Sequence, residues 1–157
     1  MDSTFDPRVL RLQTPEECET FAKNAADRGL TDLVAQARQR AVLLRASASG
    51  AKSQAERECL QAVYAYEETL FIKHGRRVKA SRTWQTIASK GILKAVDDIV
   101  SHDRPTVGYG SLLKAGLQQF AFEAVVLKYP KLFSDAARHN AKQRTAEWRL
   151  PHQQAES

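Results

Sequence analysis

Apolar residues recur every three or four positions along most of the chain, which is the period of an amphipathic α-helix. Two such stripes follow each other early in the chain, namely Cys18, Phe21, Ala22 and Ala25, then Val34, Ala37, Ala41 and Leu44. Thr14, Pro15 and Glu17 form a capping box with a first-turn proline, and Gly29 stands where a left-handed C-terminal cap is expected. Thr31 can begin the next helix directly. The pattern predicts a helical hairpin over residues 14–48.

A longer apolar pattern follows a small, polar linker over residues 47–53. Ser53 and Glu56 form a second capping box, which predicts that a helix begins there. Two neighbouring stripes then run along one broad face, Cys59, Val63, Tyr66 and Leu70 beside Leu60, Tyr64 and Phe71. Gly75 ends the pattern. We therefore predict a long central helix over 53–74, buried on a wide face.

The second half of the chain predicts a cluster of helices over residues 81–149. Ser81 is the predicted N-cap of a short helix, Gly91 separates it from the next, and Ser134 is the predicted N-cap of the last. Leu112, Leu113, Leu117, Phe120, Ala124 and Leu127 keep a helical period between them. The stretch 120–129 also suits a buried strand, but no second strand-like segment exists to pair with it, so we predict a helix. In the last helix, Ala137, Ala141, Arg144 and Trp148 mark the predicted inner edge.

Length and composition agree with one all-α domain of seven or eight helices. The 157 residues are 43% hydrophobic and 27% charged, with only seven glycines and five prolines, which disfavours a turn-rich all-β chain. A chain of this size can bury a substantial core. We predict a single compact helical domain over 14–150, with an N-terminal arm over 1–13 and a frayed tail over 151–157.

Charge is distributed very unevenly along the chain. The formal net charge is +6, yet the window 69–96 carries seven cations and no carboxylate, so it contains the entire excess. These cations are Lys73, Arg76, Arg77, Lys79, Arg82, Lys90 and Lys94. Ordinary protein surfaces intersperse both signs of charge. Such a concentration predicts an anionic partner.

The segment from Arg76 to Arg82 is the predicted point of contact with that partner. Arg76, Arg77, Lys79 and Arg82 lie within seven residues, beside the predicted helix N-terminus at Ser81. Lysine and arginine neutralise phosphates, and a helix N-terminus adds backbone N–H donors. We therefore predict a non-enzymatic nucleic-acid-binding accessory or regulatory protein, without preference for DNA or RNA. Lys73, Lys90 and Lys94 are predicted to support these contacts, and Trp84 to stack on a base.

Other interpretations of the same residues remain open. Surface cations are commonly just solvated, and a tryptophan is more often a core anchor than a stacking platform. The cationic loop would equally suit a protein-interaction module that docks an acidic partner or a second subunit. The two helices around Gly91 resemble a helix-turn-helix only loosely, because Asp97 stands where that motif has an apolar core residue, so we predict no base-reading side chain. The cations of the last helix, Arg138, His139, Lys142, Arg144 and Arg149, form a second, weaker basic element.

Signatures of catalysis, cofactors and metals are not found in the sequence. The four histidines are scattered, no phosphate-binding glycine loop occurs, and adjacent Glu67 and Glu68 diverge by about 100° on a helix. Cys18 and Cys59 fit no metal spacing and are predicted to be core thiols. No cofactor is predicted. An unrecognised catalytic site near Glu123 is the remaining enzymatic alternative.

Glu123 lies in an apolar stretch and is predicted to be buried. A buried carboxylate must be paired, hydrogen-bonded or neutral. We expect a structural partner, such as Arg82 or Tyr109, rather than a role as general base.

The N-terminal sequence and the hydropathy favour a cytoplasmic protein. Asp2 and Asp6 and the lack of an apolar run argue against a secretory signal, and no stretch approaches the length of a membrane span.

Overall fold

Every regular element of the described residues, 5–156, is a helix in the computed structural model of the chain, and side chains are described for 5–148. The α-helices are α1 (Pro7–Leu10), α2 (Pro15–Asp27), α3 (Thr31–Ser47), α4 (Gln54–His74), α5 (Ser81–Lys90), α6 (Ile92–Ser101), α7 (Tyr109–Ala115), α8 (Phe122–Lys128) and α9 (Asp135–Glu156). Single 3₁₀ turns, Gln118–Phe120 and Pro130–Leu132, flank α8. The predicted all-α class is confirmed. Among these helices, none is both long and apolar enough to cross a bilayer.

The helical hairpin has the predicted caps. The Thr14 hydroxyl accepts from the Glu17 backbone N–H at 3.1 Å, and the Glu17 carboxylate accepts from the Gln13 N–H at 2.8 Å. At the other end, Gly29 adopts a left-handed φ of +72°, and the Leu30 N–H reaches back to the Ala25 carbonyl at 2.9 Å. α3 follows immediately and packs along α2. Local capping chemistry therefore sets the start and the end of α2, and packing against α3 completes the hairpin.

Helix α4 is the central element, because α3, α6, α7 and α8 all pack against it. Ser53 caps it, accepting from the Glu56 N–H at 3.1 Å, and left-handed Gly75 ends it. The main core gathers buried residues from α4 and from helices α6 to α9, while a smaller cluster around Val9 and Val34 lies beneath the hairpin. Cys18 and Cys59 are buried free thiols, as predicted.

The predicted N-cap at Ser81 is wrong, because Ala80 caps α5 instead and Ser81 is its first helical residue. The Glu67 carboxylate of α4 accepts from the Ala80 backbone N–H at 2.8 Å and from the Trp84 indole N–H at 2.7 Å. These two bonds draw the start of α5 onto α4. The start of α5 is therefore held by Glu67, thirteen residues before Ala80, and not by a side-chain cap from Ser81.

The helical period over Leu112–Leu127 is interrupted. α7 ends at Gly116, which has a φ of +75°, and a Cβ there would lie 2.6 Å from the Ala35 Cβ of α3. The Gln39 amide donates to the Gly116 carbonyl at 2.9 Å. Close approach of α3 therefore requires a glycine and divides the predicted continuous helix. The helical assignment of 120–129 is correct for the α8 portion.

Both chain ends contain helix. The arm predicted over 1–13 contains α1, which buries Val9, and residues 1–4 lie outside the described residues. Helix α9 extends to Glu156, across most of the tail that was predicted to be frayed. Ser134 caps α9 as predicted, accepting from the Ala137 N–H at 3.1 Å.

Candidate nucleic-acid interface

Two adjoining clefts open beside the central helix. The larger, about 810 Å³, lies between α4, α5, α6 and the segment 101–106. The smaller, about 450 Å³, lies between the end of α4, the segment 106–108 and α7. Tyr66 and Thr106 line both. We call the two clefts together the basic groove.

Cations from three separate stretches of sequence meet in the basic groove. Arg82 and Lys90 of α5 line the larger cleft, whereas Lys73 of α4 and Lys114 of α7 line the smaller. Within the described residues, Lys73, Arg82 and Lys114 form no ion pair. All four cations are solvent-exposed. The arrangement is a concave surface with an excess of positive charge.

The single carboxylate that lines the described groove belongs to Asp98. It lies 3.3 Å from Lys90 Nζ and 3.1 Å from Lys94 Nζ. Burial opposes ionisation of Asp98, but the hydrogen bonds from the two lysines outweigh it and lower the pKa of that carboxyl. Its charge is therefore offset locally, and two of the seven predicted cations already have an internal partner.

Arg77, one of the four principal predicted phosphate contacts, has two carboxylate partners within the protein. Its guanidinium lies 2.6 Å from the Glu19 carboxylate and 2.5 Å from that of Glu68, and it covers the Phe71 ring at 4.1 Å from the centroid. Glu68 is buried and also binds Arg45 at 3.1 Å. Two carboxylates that lie outside the window 69–96 thus neutralise Arg77, one of the four cations of the predicted contact segment 76–82.

Trp84 also differs from the predicted stacking platform. It is half-buried, donates to Glu67 and lies against the Tyr64 ring with centroids 5.3 Å apart. It therefore anchors α5 to α4. Arg76 and Lys79 are exposed on the loop before α5, and neither lines the groove.

The aromatic residue Tyr66 and the cation Lys114 both line the groove and were not predicted from the sequence. Tyr66 belongs to an apolar stripe of α4 and packs edge-on against Phe122, with centroids 6.4 Å apart, yet it is only half-buried and lines both clefts. The sequence contained one indication of this role, because a tyrosine interrupts the apolar stripe of α4. The sequence contained no such indication for Lys114, because α7 comes beside the end of α4 only when the chain folds.

Glu123 is buried, as predicted, but its partner is Arg144 of α9 rather than Arg82 or Tyr109. The guanidinium lies 3.0 Å from the carboxylate, and the two side chains are 9% and 6% exposed. Arg144 also donates to the backbone carbonyls of Val100 and His102. The arrangement supports the structural interpretation of Glu123.

The basic element of α9 is largely committed to the fold. Arg144 is buried, and Arg138 donates to Asp135 and to the carbonyls of Pro130 and Phe133. His139 and Lys142 are exposed. The side chain of Arg149 lies outside the described residues. Among the described cations of this element, none lines the basic groove.

Comparisons with protein-family models, curated protein sequences and solved structures find no significant match to this chain.

Proposed function

We propose that this protein binds nucleic acid as a non-enzymatic accessory or regulatory protein and holds phosphate groups in the basic groove. The observation that carries the proposal is the convergence of Lys73, Arg82 and Lys114, unpaired within the described residues, around Tyr66. These residues come from α4, α5 and α7. A concave surface lined by one sign of charge focuses the electrostatic field and attracts polyanions.

The polar groups between these cations suit a sugar-phosphate backbone. Thr106 and Ser111 line the clefts, and their hydroxyls can donate to phosphate oxygens. Tyr66 offers a ring on which an unpaired base can stack, a contact that contributes about 1–3 kcal/mol per base. Arg76 and Lys79, exposed on the neighbouring loop, extend the positive field.

The proposal is tested by measuring the affinity for a labelled duplex and a labelled single strand at several salt concentrations. If four phosphates are neutralised, affinity between 50 and 200 mM salt falls about 150-fold for the duplex and about 50-fold for the single strand. The triple variant Lys73→Gln, Arg82→Gln, Lys114→Gln should lose most of this affinity and most of its salt dependence.

A matched control removes the same charge elsewhere. This control is the triple variant Arg11→Gln, Lys52→Gln, Lys131→Gln, which replaces three exposed cations outside the groove. It should keep the affinity for nucleic acid and the dependence of that affinity on salt. Equal weakening by both triple variants would show that net charge, not the groove, causes binding. Failure to bind either nucleic acid at low salt refutes the proposal. Retention of polyglutamate by the groove under those conditions would instead favour docking of an acidic protein.

A further inference from the structure

A separate cavity of about 440 Å³ lies between the two hairpin helices and α4. Its apolar wall comes from small residues of α2 and α3, including Ala22, Ala37 and Ala41, together with Val34 and the Phe71 ring of α4. The volume falls within the range of about 300–1,000 Å³ found for small-molecule pockets, which are mostly apolar with a few polar groups. The cavity has room and surface for an aliphatic chain.

The polar groups at this cavity leave an excess of positive charge. Glu19 and Glu68 line it, but both bind Arg77, which also lines it. Arg38 and Lys23 line it as well, and within the described residues neither forms an ion pair. An anionic group is therefore the complementary one.

Arg38 is the better placed of the two cations. Its side chain is half-buried on α3, and its described hydrogen bond, from Nη1 to the Ala115 carbonyl, is long at 3.5 Å. Burial lowers the pKa of this guanidinium, and the Glu68 carboxylate opposes that shift only in part. An arginine has five N–H donors in a fork that matches a carboxylate. A ligand carboxylate would supply the missing partner.

We propose that this cavity binds a small amphipathic carboxylate, with the aliphatic chain on the alanine-lined wall and the carboxylate on the Arg38 guanidinium. The site is distinct from the basic groove and does not depend on nucleic-acid binding.

Isothermal titration calorimetry with a series of straight-chain carboxylates, from butyrate to octanoate, tests the proposal. Affinity should rise about fourfold for each added CH₂, since each is transferred from water into the cavity. Arg38→Gln retains a donor for the Ala115 carbonyl but removes the charge, and it should weaken octanoate binding about tenfold or more. The matched control Arg57→Gln removes a half-buried α4 arginine that does not line the cavity, and it should leave the affinity unchanged.

A cavity-filling variant tests the location independently of Arg38. Ala22→Leu places a larger side chain in the cavity and should abolish octanoate binding while the circular dichroism spectrum stays unchanged. Octylammonium, with the same chain and the opposite charge, should not bind. Equal binding of octylammonium, full affinity in Ala22→Leu, or no octanoate binding at about 1 mM would each overturn the proposal.

Discussion

The buried ion pair between α8 and α9 makes the strongest stability prediction. Glu123→Ala removes the carboxylate and leaves the Arg144 guanidinium buried, with only the carbonyls of Val100 and His102 as acceptors among the described residues. Breaking a buried pair by removing one partner costs about 3–5 kcal/mol. Since a domain is typically stable by about 5–15 kcal/mol, the variant should lose a large fraction of its stability.

Equilibrium unfolding in urea, followed by circular dichroism, measures this loss. With a denaturant dependence of about 2 kcal/mol per molar urea, the midpoint should fall by about 2 M while the slope stays unchanged. The exposed Glu147→Ala on α9 is the matched control and should change stability by less than about 0.5 kcal/mol. The double variant Glu123→Ala, Arg144→Met should cost less than the sum of the single changes, because no charge then remains buried.

Near-normal stability of Glu123→Ala would refute this reasoning. If the variant unfolded within about 1 kcal/mol of the parent protein and had also lost its binding activity, Glu123 would have a functional role and the structural interpretation would be wrong.

Three further predictions concern stability and share the urea assay. Gly116→Ala should destabilise the protein by more than about 2 kcal/mol, because the left-handed φ is strained for alanine and the new Cβ would clash with Ala35. Gly75→Ala has a similar φ but open space around it, so it should cost only about 1–2 kcal/mol. Equal costs for the two variants would show that the clash with Ala35 contributes nothing. Burial opposes ionisation of Glu58, but its hydrogen bonds from Tyr129, Gln54 and Lys128 outweigh this and lower the pKa of its carboxyl from 4.5. Its contribution to the free energy of unfolding is therefore fully present above pH 4.5 and is lost as the pH falls further. Glu58→Gln should make stability less dependent on pH below 4.5, and an unchanged dependence would contradict this. Ser53→Ala should destabilise by about 1 kcal/mol, and no effect would show that the cap of α4 is dispensable.

The elements governed by local chemistry were predictable from sequence. Thr14 and Ser53 cap the helices they were expected to cap, and Gly29 and Gly75 end helices in the left-handed conformation. Each of these features depends on residues within one or two turns of each other, so the order of the residues is sufficient to reveal it.

The elements set by tertiary contacts were not predictable. Ser81 lost its predicted cap role because Glu67 holds Ala80, and the helical period after Leu112 is interrupted because α3 approaches Gly116. The basic window illustrates the same limit. Its charge excess was visible, but Arg77 is neutralised by a carboxylate fifty-eight residues away. Charge counted along a chain does not show which charges remain available after folding.

Three consecutive residues of α4 serve three different regions of the molecule. Tyr66 lines the basic groove, Glu67 holds the start of α5, and Glu68 binds the arginines beside the hairpin cavity. Successive side chains on a helix diverge by about 100°, so one turn faces all three regions. A single-residue insertion upstream in α4 would rotate the whole set and disrupt every one of these contacts together. Length variation in this protein should therefore be tolerated in the connecting loops and excluded from the central helix.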